Sequence, residues 1–373
     1  MLSRRSSTRL QHTFSAFKRG FHSSKRRGHT VEVESSEDHD GTVVTAQVHK
    51  APPGPNDKLV FHMAEAYLPK VHDPLTEGKK PPEPKNGAGV RPESGQDSFF
   101  FTELDAGAKR GSIALGVADG VGGWSSVGVD PAEFAHSLCE CMADKFKSQE
   151  SQDESDSLEP LLPPLTVLSH AYERLKAEQR VVAGSCTACV GVASPVSGIL
   201  QVANLGDSGY SIFRQGRLYR QSKPLLHTFN TPYQMAIIPD SLKIQNSQRI
   251  DDKPSDATLS THTLQHGDVV VFATDGLIDN LFAHEILNVV TDTMTRTASW
   301  TYNKATGEIE PSDRMTGASE LASALVKHAA LYSMDTQRQT PFTQELKRHV
   351  NVTAYGGKPD DVTVVCLLVQ KAH

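Results

Sequence analysis

The sequence predicts an α+β protein in which two sheets pack against each other with helices on the outside. Apolar, β-branched runs occur in clusters, and pairs of amphipathic helical stretches separate those clusters. The 373 residues also suffice for one large domain carrying a tail.

The tail comes first. Arg4, Arg5, Arg9, Lys18, Arg19, Lys25, Arg26 and Arg27 are interleaved with Ser and Thr, and no acid precedes Glu32. With Leu2, Leu10, Phe14 and Phe17 as apolar points, residues 1–30 match a mitochondrial transit peptide, and a disordered basic arm is the other reading. No apolar core of a secretory signal is present. Residues 31–57 are polar, contain Pro52-Pro53-Gly54-Pro55, and read as a linker. One domain is then expected over 58–373. A formal charge of −6 provides no basic field for nucleic acid. No apolar run reaches the roughly 18 residues of a membrane span.

Residues 59–68 open the domain as a strand, and the Pro, Gly and Lys of 69–93 make a surface loop. Asp97 enters a strand at 98–104, and the apolar run 113–118 forms another, closed by Asp119 and a glycine cluster. Asp130-Pro131 supplies an N-cap and a first-turn proline for a helix. Its stripe of Phe134, Leu138, Cys141, Met142 and Phe146 reads as core rather than binding groove. After an acidic loop, residues 165–179 form a second helix, and strands at 184–193, 199–203 and 210–214 follow as a meander. Residues 227–235 lack periodicity, and 239–258 are polar and charged. A strand at 269–273 precedes helices at 282–294 and 319–333, the latter with Leu321, Leu325, Ala329 and Tyr332 on one side. The last strand, 362–369, begins at Asp360-Asp361.

Five cysteines without framework spacing predict no structural disulfide. Cys186 and Cys189 match C-x-x-C by letter, but residues three apart in a strand face opposite ways and cannot chelate together. The chemistry lies in the acids instead. Strands ending at Asp119, Asp207 and Asp275, and one starting after Asp360, each bring a carboxylate to one of their ends. Isolated buried carboxylates are costly, so such acids are paired, hydrogen-bonded or metal-bound. An all-oxygen set suits Mg²⁺ or Mn²⁺ better than zinc. No EF-hand spacing occurs, which argues against a Ca²⁺ module.

Six segments in order carry a resemblance: Gly95-Gln96-Asp97, Val117-Ala118-Asp119-Gly120, Gly184-Ser185-Cys186-Thr187-Ala188, Leu205-Gly206-Asp207-Ser208, Ala273-Thr274-Asp275-Gly276 and Pro359-Asp360-Asp361-Val362-Thr363-Val364-Val365. Together, from about residue 58 to the C-terminus, they resemble the metal-dependent protein serine/threonine phosphatases of type 2C. Residues 119–124 and 227–234 are similar to the mitochondrial branch of that family. The resemblance implies a four-layer α-β-β-α sandwich of two antiparallel sheets flanked by helices, and hydrolysis of phosphoserine or phosphothreonine by a metal-bridging hydroxide.

By the same resemblance Asp119, the Gly120 carbonyl, Asp275 and Asp360 hold two Mg²⁺ or Mn²⁺ ions, with Asp119 bridging. Asp207, with Asp275, forms a weaker third position. Asp97 and Asp361 fall in the outer shell, and the part of the chain holding 227–235 and 239–258 corresponds to the family's variable, substrate-facing flap. Three positions depart from the pattern. Val121 replaces a histidine often proposed as general acid, Gln96 replaces a Glu, and Arg91, the candidate phosphate ligand, is one residue off the usual spacing. Asp361 stands where many relatives have Asn. The implied substrates are phosphoproteins of the mitochondrial matrix, metabolic enzymes and proteins of coenzyme Q synthesis among them. A catalytically inactive member that binds phosphoproteins or scaffolds is the alternative; retention of Asp119, Asp275 and Asp360 favours the enzyme.

Overall fold

The computed structural model describes residues 58–70, 92–105, 107, 109–149, 161–240, 250–350 and 352–372, together with the backbone of three earlier strands. Those three, β1 (Gly20–Arg26), β2 (His29–Glu37) and β3 (Val43–His49), form a meander that continues onto β4 (Leu59–Leu68). The sheet then runs through β19 (Val362–Lys371), β16 (Val269–Ala273), β10 (Gly209–Arg214) and β11 (Arg217–Gln221), eight strands in all.

The second sheet has five strands in the order β15 (Thr258–Thr263), β9 (Ile199–Leu205), β8 (Ala188–Ala193), β6 (Ile113–Asp119) and β5 (Asp97–Glu103). Every pairing within the two sheets is antiparallel.

Between the sheets lies a dry layer that includes Phe61, Met63, Leu115, Val117, Leu200, Ile212, Phe272 and Leu367. Helices α1 (Pro131–Lys147) and α2 (Pro164–Ala177) cover the outer face of the five-stranded sheet, where Phe134, Leu138, Met142 and Tyr172 meet Ala114, Val190 and Leu205. Over the eight-stranded sheet lie α3 (Asp275–Ile278), α4 (Ala283–Arg296) and α5 (Ala318–Ser333), with Leu321, Leu325 and Ala329 packed on Ala64, Val271 and Val364. The result is the four-layer α-β-β-α sandwich. Each such apolar side chain contributes about 1.5–3 kcal/mol by leaving water, so the three layers together fix the sheets' separation. Among the described residues no helix is long and apolar enough to cross a membrane.

Several local expectations hold in detail. Asp130 caps α1 by accepting from the Ala132 N–H at 3.1 Å, ahead of Pro131 in the first turn. The Phe134 to Phe146 stripe is fully buried. Cys186 and Cys189 lie in different core layers, Cys186 under α1 and α2 and Cys189 between the sheets.

Other stretches differ. The run 184–193 is not one strand: it breaks at Thr187 into β7 (Gly184–Cys186) and β8. β7 pairs with β14 (Met235–Ile237), whereas β8 pairs with β6 and β9, so the chain changes partners at the break. The aperiodic stretch 227–235 contains a tight hairpin, β12 (Leu226–Thr228) with β13 (Thr231–Pro232), whose turn uses Asn230 at φ +51°. A further hairpin, β17 (Trp300–Asn303) with β18 (Glu308–Pro311), and the helix α6 (Pro341–Val350) were not read from the sequence.

In the stretch read as leader and linker, β1, β2 and β3 extend the sheet from the edge of β4. Thr30-Val31-Glu32-Val33-Glu34 alternates β-branched and polar residues, a period of two that a strand accepts, and β4 offers an edge to pair with. Residues 71–91, 150–160 and 241–249 lie outside the described residues, and with them most of the 69–93 loop and part of the 239–258 region.

Candidate active site

Both sheets deliver acids to one end of the sandwich. In the β5–β6 ladder Asp97 is the register partner of Asp119, the last residue of β6. On the other sheet β16 ends at Ala273 and passes through Thr274 into α3, which starts with Asp275. β19 lies beside β16, so Asp360 and Asp361, just before β19, arrive next to Asp275. Asp207 sits where the chain crosses between sheets, after β9 of one and before β10 of the other, on a turn made by Gly206 at φ +102°.

Hydrogen bonds lock the acids across the sheets. Thr274 Oγ1 donates to Asp97 Oδ2 at 2.7 Å and accepts from the Thr363 N–H at 3.0 Å. The Asp361 carboxylate accepts from the Lys70 N–H at 2.8 Å and the Gln96 N–H at 2.9 Å, clamping the loop before β5 to the start of β19. Gly95, at φ +71°, leaves room for that carboxylate, and a Cβ there would overlap it. Asp361 is therefore a brace between these segments.

Two lysines enter the cluster. Lys358 Nζ binds Asp275 Oδ2, Asp279 Oδ2 at 2.7 Å and Asp360 Oδ2 at 3.2 Å. Its backbone is fixed by Asn280, whose side chain exchanges two hydrogen bonds with it. Lys70 Nζ reaches Asp360 Oδ1 at 3.1 Å and Gln96 Oε1 at 3.3 Å.

Crowded acids hold their protons more tightly. Burial, followed by the charges of Asp275, Asp97, Asp360 and Asp207, pushes the Asp119 carboxyl well above the usual range. Burial and the Asp361 charge do the same to Asp97, against the Thr274 hydrogen bond. Asp207 is pushed up to about 8 by burial, Asp275 and Asp279. Asp279 rises to about 7 through burial and Asp275, with Lys358 opposing. Burial pulls the Lys358 ammonium down, but Asp275, Asp279 and Asp360 outweigh it and hold it charged.

Among the described residues, Asp207 Oδ1 and Asp275 Oδ1 are buried and accept no hydrogen bond. Oxygen atoms of that kind, in an all-carboxylate setting, fit a hard divalent cation. No three His, Cys, Asp or Glu side chains among the described residues are drawn into one closed ligand group. Lys358 supplies the positive charge that Asp275, Asp279 and Asp360 share. A recess of about 180 Å³, lined by Asp207, Tyr210, Gln221, Ser222, Lys223, Pro224 and Ile278, adjoins this cluster.

The structure thus gathers Asp97, Asp119, Asp207, Asp275, Asp360 and Asp361 at one end of the sandwich. Gly120 has a packing reason of its own: a Cβ would overlap the Pro131 carbonyl and sit 2.7 Å from the Gln96 carbonyl. Arg91 lies outside the described residues. Sequence reasoning missed Lys70, Lys358, Asp279 and Thr274. Asp279 stands four residues after Asp275, one helical turn on, and Lys358 directly precedes Pro359-Asp360, so both were readable from spacing. Lys70 gave no signal, because its partner Asp360 is 290 residues away.

Comparison with known proteins bears on the family and the fold. The family described as Stage II sporulation protein E (SpoIIE) matches residues 109–370. The "Protein phosphatase PTC7 homolog fig" of Drosophila melanogaster is 33% identical over 292 residues, covering 78% of this chain and 82% of that protein. The "5-azacytidine resistance protein azr1" of Schizosaccharomyces pombe is 34% identical over 284 residues, 76% of this chain and 84% of its own. Among solved structures, the photosystem II phosphatase PBCP superposes with a TM-score of 0.53 at 26% identity, covering 74% of this chain and 91% of that one. The chain belongs to the type 2C family of protein phosphatases. It is an enzyme, a phosphoric monoester hydrolase.

Proposed function

We propose that the chain hydrolyses phosphoserine and phosphothreonine on mitochondrial proteins with the help of two Mg²⁺ or Mn²⁺ ions. The observation that supports this most is the gathering of six aspartates from both sheets around two buried carboxylate oxygens that lack a donor. In this reading Asp119, the Gly120 carbonyl, Asp275 and Asp360 hold the two ions, and Asp207 with Asp275 holds a weaker third. When bound, the ions supply activation of water and neutralisation of the phosphoryl charge.

The chain's own groups do the rest. Asp97 and Asp361 hold the backbone on which the ligands sit, through Thr274, Lys70 and Gln96. Lys70 and Lys358 orient the Asp360 carboxylate from opposite oxygens. Val121 cannot donate a proton, so the leaving hydroxyl is not protonated from that position.

The basic, acid-free leader at 1–30 supports import into the matrix, ahead of a phosphatase domain over 58–373 whose sheet β2 and β3 of the 31–57 stretch extend. Matrix metabolic enzymes, proteins of coenzyme Q synthesis included, are the substrate class. The test is release of phosphate from a phosphoserine peptide by the full chain with Mn²⁺, with chelator, and after Asp119→Asn. Turnover that survives either chelation or the substitution overturns the mechanism. Uptake by isolated mitochondria of the full chain, but not of one lacking residues 1–30, tests the location.

A further inference from the structure

Two sequence segments, 119–124 and 227–234, meet in space. Trp124 follows the glycine cluster in a turn of 3₁₀ helix (Gly122–Val127) and is buried. Its Nε1–H donates to Ser185 Oγ at 2.6 Å, and Ser185 Oγ donates to Gln234 Oε1 at 2.6 Å. Gln234 in turn donates through Nε2 to the Pro232 carbonyl at 3.1 Å and through its N–H to Asp252 Oδ2 at 2.9 Å. His227 Nε2 meets the same carboxylate oxygen at 2.9 Å while its ring stacks on Tyr233, centroids 4.1 Å apart. An unbroken line of contacts therefore joins Trp124 to the β12–β13 hairpin.

The near end of that line touches the metal-ligand backbone. The Ser185 carbonyl accepts from the Val121 N–H at 3.0 Å, and the Asp119 carbonyl accepts from the Thr187 N–H at 3.0 Å. At its base the hairpin is tied to the turn that carries Asp207. The Leu225 N–H donates to the Gly206 carbonyl at 2.9 Å, and the Tyr233 N–H donates to the Leu225 carbonyl at 3.0 Å. A Cβ on Gly206 would strike the Tyr233 carbonyl at 2.7 Å, so the two strands of chain touch closely there.

The hairpin's tip reaches the opposite wall. Phe229 packs against Phe342 and His349 of α6, with ring centroids 5.3 Å apart in each case. The Phe342 N–H donates to the Asp279 carbonyl at 3.1 Å, and the Lys358 ammonium lies 5.4 Å from the Phe342 ring. One short hairpin is thus anchored to the Asp119 wall, the Asp207 turn and the Asp279–Lys358 wall.

We propose that the 226–234 hairpin is a strut that sets the spacing of the acid-bearing walls for divalent ions, with Trp124, Gln234 and Phe229 as its positioning residues. This rests on the phosphatase reading above. Groups that orient metal ligands from behind typically change metal affinity by about 10–100-fold when removed. A loop that only contacted substrate would leave metal affinity alone.

The experiment is calorimetric titration of Mn²⁺ into the full chain and its variants, with melting curves in chelator to confirm folding. Trp124→Phe removes the Nε1–H donor together with part of the buried ring, Gln234→Leu removes the central link, and Phe229→Ala cuts the far anchor. Each is expected to raise the Mn²⁺ dissociation constant about tenfold or more. Gln234→Glu keeps an acceptor for Ser185 but loses the Nε2–H donated to the Pro232 carbonyl, so it is expected to weaken Mn²⁺ binding along with Gln234→Leu. If Trp124→Phe does not fold, Phe229→Ala, at a half-buried position, decides the matter. Unchanged Mn²⁺ affinity in the folded variants overturns the strut. A parent that binds Mn²⁺ but releases no phosphate overturns the phosphatase reading without touching the strut. A parent that binds no Mn²⁺ overturns both.

Discussion

Asp97 and Asp119 stand directly opposite each other in the β5–β6 ladder, with the Asp97 carboxyl held by the Thr274 hydroxyl of the other sheet. Directly opposed residues in such a ladder have Cβ atoms about 5 Å apart, and like charges there repel. Stability alone would not select such a pair. A bound divalent cation turns the same arrangement into a favourable one.

Asp119→Asn should therefore separate stability from function. Without metal, a buried carboxyl whose ionisation its neighbours oppose is replaced by a neutral amide, and the variant is expected to melt at or above the parent's temperature. With Mn²⁺, the parent's melting temperature rises and the variant's rises far less, while phosphopeptide turnover drops about a hundredfold or more. Melting curves with and without Mn²⁺, beside the peptide assay, check both halves. A variant that keeps its turnover removes Asp119 from the mechanism.

Removing Lys358 tests how the cluster balances charge. Lys358→Met leaves Asp275, Asp279 and Asp360 without their shared ammonium, and stripping one partner from a buried ionic group costs about 3–5 kcal/mol. The loss is expected in chelator and to shrink when Mn²⁺ is added, because the ions supply the missing charge. Denaturant titrations under the two conditions measure the difference. An equal loss in both would show that Lys358 acts only in packing.

The frame of the molecule was legible because its signals are local. The β16 run Val269–Ala273 and the Asp130-Pro131 cap of α1 needed no distant information, and neighbouring elements reinforced each reading. What stayed hidden depends on contacts between residues far apart in the chain. The partner switch at Thr187 is set by β14, some 50 residues on, and the Lys70–Asp360 pair joins opposite ends of the domain. The β12–β13 hairpin has no periodicity because it is held by side-chain hydrogen bonds and a ring stack rather than by an apolar face. Acids at strand ends were readable one by one; Lys70, which reaches them across the whole domain, was not.

Gly120→Ala probes a residue with two reasons to be glycine. The added methyl would overlap the Pro131 carbonyl at the start of α1 and crowd the Gln96 carbonyl, both backbone atoms that cannot rotate away. Overpacking of this kind typically costs about 1–3 kcal/mol. The variant is expected to lose that stability in chelator, where no ion is involved, and to bind Mn²⁺ more weakly as the Asp119–Val121 backbone shifts. Chemical denaturation in chelator checks the first expectation. An unchanged midpoint would show that α1 can move aside.

The acid cluster also fixes the sign of a pH effect on the metal-free protein. Asp207 and Asp279 are held at about 8 and about 7, above the roughly 3.9 of an unfolded aspartate. Between pH 4 and pH 8 the folded state accordingly keeps protons that the unfolded chain has released, and stability falls as pH rises through that window. The slope is at most about 1.4 kcal/mol per pH unit for each such carboxyl. Lys358 does not reverse it, because its raised pKa gives stability that is fully present below the unfolded lysine value. In chelator, the unfolding free energy is expected to decline from pH 5 to pH 8, and Asp207→Asn should make the decline shallower. Mn²⁺ should flatten it in the parent, since binding displaces the protons, and their release into weakly buffered solution can be measured directly. A metal-free protein whose stability climbs between pH 5 and pH 8, with Asp207→Asn following the parent, would mean that these carboxyls are already ionised in the folded state.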